Sequence, residues 1–131
     1  MKAAAAKLDS PIRVLLADDH RLFAEALEAI LSGESNIEVV GRARNGSEAL
    51  ELTLELEPDV VLMDISMPVM DGVEATRRIR EARPGACVLM LTGSNAAADV
   101  DRARDAGAAG YVTKDRIASQ LVEAIVEAAG R

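Results

Sequence analysis

Carboxylates, a hydroxyl and an ammonium punctuate this chain at the ends of short apolar runs. Asp18-Asp19 follows Ile12–Ala17, Asp64 follows Val60–Met63, Thr92 closes Cys87–Leu91, and Lys114 follows Tyr111–Thr113. Three carboxylates drawn within a few ångströms repel one another, so such a site raises one pKa or takes a cation. An oxygen-lined acidic pocket without a His or Cys cluster suits a hard ion, and Mg²⁺ is the expected one. Mg²⁺ takes only one or two protein carboxylates and keeps positions for water and phosphate oxygens. That leaves Asp64 ionised and nucleophilic toward a phosphoryl group. Lys114, a compact cation, can pair with one phosphoryl oxygen, and Thr92 can donate a hydrogen bond to another.

Such a site requires a fold that gathers strand ends. Ile12–Ala17 reads as a strand buried on both faces. Asp18 or Asp19 can cap a helix whose apolar positions Leu22, Phe23, Ala26, Leu27, Ile30 and Leu31 recur at helical spacing, with Gly33 at its end. Ile37–Ala43 is a second strand, and Asn45-Gly46 turns into a helix through Ala49, Leu50, Leu52 and Leu56, stopped by Pro58. Asp59–Met63 is the third strand. Asp71-Gly72 opens a helix over Val73, Thr76 and Ile79, broken by Pro84-Gly85 before the fourth strand, Cys87–Leu91. A short charged helix over about Ala96–Arg104, a break at Gly107, a fifth strand Gly110–Thr113 and a last helix through Leu121, Val122, Ile125 and Val126 complete the alternation.

Strands alternating with helices at this spacing imply right-handed βαβ units on a parallel sheet. For five strands the expected architecture is α/β, doubly wound and flavodoxin-like, with strand order 2-1-3-4-5. That order sets strands one, three and four side by side. In open parallel sheets ligands bind in the crevice outside the carboxyl ends of the strands, where Asp18, Asp19, Asp64 and Thr92 then meet.

At 131 residues the chain fits one domain with a single core. No apolar stretch approaches the ~20 residues of a membrane helix. Residues 1–11 read as a flexible leader that lacks the apolar centre of a signal peptide, 12–129 as the domain, and 130–131 as the start of a linker or tail. The single Cys87 excludes an internal disulfide, suits a reducing cytosol and reads as a buried, inert thiol within a strand. A net charge of −7 argues against non-specific nucleic-acid binding, and the near absence of aromatics removes a stacking platform.

The residues Asp18-Asp19, Asp64 through Gly72 (Asp-Ile-Ser-Met-Pro-Val-Met-Asp-Gly), Leu91-Thr92-Gly93 and Gly110-Tyr111-Val112-Thr113-Lys114 closely resemble the receiver domain of bacterial two-component response regulators. The resemblance runs from about Ile12 to Ala129. Asp18-Asp19-His20-Arg21-Leu22-Phe23 looks most like receivers of the NarL/FixJ type, which usually precede a LuxR-type helix-turn-helix. The resemblance implies that Asp64 accepts a phosphoryl group from a phosphohistidine of a sensor histidine kinase. It implies that Asp18, Asp19, Asp64 and the backbone carbonyl of Ser66 hold Mg²⁺, and that Thr92 and Tyr111 form a switch pair. It implies a cytoplasmic protein that regulates transcription, with dimerisation possible and DNA bound only through an output domain outside this sequence. Ser66 and Ser94 stand where side chains tune hydrolysis of the acyl phosphate and depart from the commonest residues.

Blander readings compete at each position. Asp64 alone could cap a turn, Lys114 could be solvated, and Asp71, Pro68 and Gly72 shape a loop. His20, alone at a helix start, reads as a surface residue without a catalytic part. Asp99, Asp101, Arg102, Arg104 and Asp105 form a charged face that is either solvated or meets partners. Met67 and Met70 either pad the loop or contact a protein. A haloacid-dehalogenase-like phosphatase also forms an aspartyl-phosphate with Mg²⁺, but it carries Asp-x-Asp after its first strand, where this chain has Asp18-Asp19-His20. A degenerate interaction module would not keep the full set of site residues.

Overall fold

The computed structural model describes residues 10–93 and 97–130. Most of the anticipated leader, Ser94, the Ala96 end of the charged helix, and Arg131 lie outside the described residues. The described elements run β1 (Ile12–Ala17), α1 (Arg21–Ser32), β2 (Ile37–Ala43), α2 (Gly46–Leu56), β3 (Val60–Asp64), α3 (Gly72–Ala82), β4 (Val88–Thr92), α4 (Ala97–Ala106), β5 (Gly110–Thr113), a 3₁₀ turn (Lys114–Arg116) and α5 (Ile117–Ala128). The five strands are parallel, in the order β2-β1-β3-β4-β5, as the alternation of elements implies.

Period-two alternation along the strands sorts the core into two layers. Ile12, Val14 and Leu16 of β1 face Leu27 and Leu31 of α1 and Ile117, Leu121 and Ile125 of α5. Leu15 and Ala17 face the other way, toward a layer holding Ala49 of α2, Ile79 of α3 and Ala103 and Ala106 of α4. Each fully buried Leu or Ile contributes about 1.5–3 kcal/mol relative to exposure, so both layers hold the sheet rigid under its carboxyl ends. β1 takes two residues of β2 opposite one step of its own between Val14 and Leu15, so Val39 and Gly41 are the successive partners.

Arg13 interrupts the otherwise buried β1. Its guanidinium donates to the carbonyls of Leu56 (2.9 Å) and Glu57 (3.0 Å). Those groups end α2, where Glu57 adopts a left-handed φ of 50° that glycine usually fills. Arg13 thus satisfies orphan carbonyls that no sequence signal near Pro58 accounts for. Gly107, at φ 102°, ends α4 in a conformation that favours glycine.

Several local expectations shift. Asn45 and Asp71 cap α2 and α3, each accepting at 2.8 Å from the backbone N–H three residues on. Neither Asp18 nor Asp19 caps α1. His20 holds the N-cap position without a side-chain bond, while Asp18 Oδ1 accepts from the His20 N–H at 2.8 Å. The strand-to-helix turn consumes that oxygen before the helix starts. β3 and β4 begin and end one residue later than anticipated, so Cys87 lies just before β4 and is half-buried. Its Sγ donates to the Ala128 carbonyl at 3.3 Å, and burial pushes its pKa up, as an inert thiol requires.

Candidate functional site

The carboxyl ends of β1, β3 and β5 bring Asp18, Asp64 and Lys114 into contact. Asp18 is 4 % exposed and Asp64 2 %, so both carboxylates are held out of water. Lys114 Nζ lies 3.3 Å from Asp64 Oδ1 and 3.8 Å from Asp18 Oδ2. The first is an ion pair of ordinary length; the second is an attraction beyond hydrogen-bond reach. Beneath the ammonium sits the Phe23 ring, 4.6 Å from Nζ to the centroid. That contact steers a flexible lysine over the acidic pair. Asp19 stands at the rim, more open than Asp18.

Electrostatically the pocket is under-compensated. Burial pushes the Asp64 pKa above the usual carboxylate range, and the charge of Asp18 pushes it further; Lys114 and the Ser66 N–H, 3.5 Å from Oδ1, pull against this without cancelling it. Asp18 Oδ2 and Asp64 Oδ2 are buried with no hydrogen-bond partner among the described residues. Buried carboxylate oxygens left unpaired are costly unless a cation serves them. Asp18, Asp19, His20 and Asp64 each offer one donor atom, all within 4.8 Å of one another. This donor set fits a divalent cation.

The remaining anticipated residues take distinct places. Thr92, 2 % exposed, ends β4 beside Asp64, whose register partner is Leu91. Tyr111 on β5 pairs with Met90, and its ring is 42 % exposed. Ser66 follows Asp64 with its side chain in solvent. Met67 is buried and Met70 partly so, both packed in the α2–α3 layer, which favours the padding role. Asp99 pairs with Arg102 (3.6 Å) and Asp101 with Arg104 (3.3 Å), the pattern of a solvated helical face. Gly72 is placed by close approach. A Cβ there would overlap the Asp64 carbonyl group, so only glycine lets the start of α3 dock on the backbone of the buried aspartate.

Two residues have a part in the site that sequence reasoning misses. His20, 67 % exposed at its side chain, turns Nδ1 inward to 3.3 Å from both Asp18 Oδ1 and Asp19 Oδ1. Phe23 packs against the helix core as its spacing predicts, and it also carries Lys114. Direct adjacency to the Asp18-Asp19 pair is the one available signal for His20; nothing local marks Phe23.

A cleft of about 480 Å³ is lined by Asp19, His20, Asp64, Ser66 and Lys114. A larger cleft, about 600 Å³, touches the other side of Asp18 and Asp19 beside Arg42 and Arg44. The chemistry belongs to the smaller one, because Asp64 and Lys114 line it and not the larger.

Residues 14–126 match the response regulator receiver domain family. The chain is 43 % identical over 115 residues to the transcriptional regulatory protein LnrK of Bacillus subtilis, covering 88 % of this chain and 52 % of LnrK. It is 43 % identical over 115 residues to the response regulator protein VraR of Staphylococcus saprophyticus, covering 88 % and 55 %. The chain thus spans about half the length of these curated relatives. Among solved structures, a LuxR-family two-component response regulator from Aurantimonas superposes with a TM-score of 0.87 at 38 % identity, covering 93 % of this chain and 88 % of that one. The response regulator domain of Thermotoga maritima CheB gives 0.86 at 33 % identity, covering 92 % and 98 %. With most of its length matched and the sheet order in agreement, the chain belongs to the receiver domains of response regulators.

Proposed function

We propose that Asp64 is the phosphoacceptor of this receiver domain and that its modification changes protein contacts. Receiver domains are signalling domains of two-component systems and bind Mg²⁺ at an acidic pocket. The observation that carries the residue assignment is Lys114 Nζ at 3.3 Å from a buried Asp64 whose other oxygen has no hydrogen-bond partner. One oxygen is held by the ammonium, which fixes the orientation of the carboxylate.

The donor is a phosphohistidine of a sensor histidine kinase. An Asp64 oxygen attacks phosphorus, an O–P bond forms, the P–N bond breaks, and the electron pair returns to the imidazole nitrogen, which is then reprotonated. Lys114 balances the charge of the phosphoryl oxygens, and the Thr92 hydroxyl donates to one of them. Asp18, Asp19, Asp64 and the Ser66 carbonyl would hold Mg²⁺, which supplies positive charge for the same oxygens. Water later hydrolyses the acyl phosphate. The catalysis is confined to the protein's own phosphorylation and dephosphorylation.

The new dianion biases a two-state equilibrium in which Thr92 moves toward it and the Tyr111 ring turns inward. A cleft of about 230 Å³ lined by Val100, Ala103, Arg104 and Tyr111 supports that motion by giving the ring somewhere to go. The outcome is altered partner contact or dimerisation. In this reading the unit spans 12–129 and controls a LuxR-type DNA-binding domain outside this sequence; the Aurantimonas neighbour is a response regulator of the LuxR family. Among the described residues no helix is long and apolar enough to cross a membrane. The cytoplasm, where a sensor kinase presents its phosphohistidine, is the compartment this function requires.

Incubation with a small acyl phosphodonor and Mg²⁺, followed by intact-mass measurement, tests the assignment. The expected result is one added phosphoryl group on wild type and none on Asp64→Asn. Equal labelling of both defeats it, and sustained turnover of a phosphomonoester would transfer the case to a phosphatase.

A further inference from the structure

We propose that His20 is a fourth side-chain ligand of the acidic pocket, raising its affinity for divalent transition ions such as Co²⁺ and Zn²⁺ relative to Mg²⁺. The inference rests on the reading of Asp18, Asp19 and Asp64 as holders of a cation.

The donor geometry comes first. His20 Nδ1 stands 3.3 Å from Asp18 Oδ1 and 3.3 Å from Asp19 Oδ1. The four donor atoms of Asp18, Asp19, His20 and Asp64 lie within 4.8 Å of one another. An octahedral ion with bonds of about 2.0–2.1 Å separates neighbouring donors by about 3 Å and opposite donors by about 4 Å. The imidazole nitrogen therefore sits where a neighbouring ligand to both carboxylates belongs. The backbone N–H of His20, fixed at 2.8 Å on Asp18 Oδ1, ties the residue to that place.

A second observation shows that the cluster is built to receive a ligand. Asp18 and Asp64, 4 % and 2 % exposed, each keep a buried oxygen without a hydrogen-bond partner. The imidazole completes the set from the solvent side, with 67 % of its side chain exposed, so an entering ion meets Nδ1 at the rim. Imidazole suits Zn²⁺, Cu²⁺ and Ni²⁺, whereas Mg²⁺ demands hard oxygen donors. Selectivity between these ions is therefore the property His20 controls. The competing arrangement is a simple hydrogen bond from Nδ1–H to Asp18, in which the ring contributes nothing to ion choice.

Calorimetric titration of the untagged protein with CoCl₂ and with MgCl₂, at neutral pH and without phosphodonor, separates the two. The ratio of Co²⁺ to Mg²⁺ affinity is expected to fall about 10–100-fold in His20→Ala. The chain contains one histidine, so a single imidazole reports binding by nitrogen NMR. On saturation with ZnCl₂ its Nδ1 resonance is expected to move to the metal-bound position. A ratio unchanged within about twofold, or an Nδ1 resonance unmoved at ZnCl₂ saturation, overturns the proposal. Asp19→Asn and Asp64→Asn keep the underlying reading separate. Loss of Mg²⁺ binding in these two with an unchanged ratio in His20→Ala removes only the histidine ligand. Full Mg²⁺ binding in both removes the acidic site itself, and the proposal with it.

Discussion

Replacing Asp64 with Asn is expected to stabilise the metal-free protein at neutral pH. The wild-type carboxylate is 2 % exposed, and burial together with the Asp18 charge outweighs the help of Lys114, so its folded-state pKa is raised. A carboxyl with a raised folded pKa binds its proton more tightly when folded. Its stabilising effect is complete below the unfolded carboxylate range and is lost as pH rises through the folded value, above which the penalty stands. An unsatisfied buried polar group costs about 1–3 kcal/mol, and the partial compensation by Lys114 brings the expected gain on neutralisation to about 1–2 kcal/mol. For a chain of this length that raises Tm by roughly 3–8 °C. Thermal unfolding followed by circular dichroism in EDTA, for both proteins across the acid range, gives the comparison. The gain must shrink as the pH falls and wild-type Asp64 takes up its proton. Adding Mg²⁺ at about 100 times its Kd stabilises wild type by about 2.7 kcal/mol and reverses the order, because the variant has lost a ligand. A variant less stable than wild type in EDTA at neutral pH, or a gain that grows on acidification, refutes the electrostatic account.

Other parts of the molecule give three more expected outcomes. Gly72→Ala forces a Cβ onto the Asp64 carbonyl and is expected to cost about 1–3 kcal/mol while slowing phosphorylation; urea unfolding and the rate of mass gain measure both. Leu121→Ala opens a cavity in the α1–α5 layer and is expected to cost about 2–5 kcal/mol in the same unfolding assay, with the site chemistry intact at a temperature where the protein stays folded. Thr92→Ala is expected to accept phosphate yet lose phosphorylation-dependent association; analytical ultracentrifugation of the phosphorylated variant showing wild-type association would contradict the switch role.

How far the fold and site are legible in the sequence depends on the range of the interactions involved. β1, β3 and β4 are dense apolar runs, so their existence, their parallel order and the convergence of Asp18 and Asp64 can be read from pattern alone. Asn45 and Asp71 announce their helices because capping is a contact across three residues. Side chains that act across the fold leave no such trace. Arg13 reaches 43 residues along the chain to end α2, and Phe23 meets Lys114 only after β5 has joined the sheet. The capping role expected of Asp18 fails because two local partners, a helix start and the His20 N–H, compete for one oxygen, and sequence does not say which wins.

Cys87 gives this protein an internal gauge. The thiol lies at the amino end of β4, opposite the end that carries Thr92, and is hydrogen-bonded to the last residue of α5. The thiol is half-buried and its hydrogen bond ties it to that helix end, so its labelling rate is expected to rise when the final turn undocks. A fluorophore or spin label can therefore track motion of the C-terminal helix using the native sequence, at the end of the sheet remote from the acidic cleft.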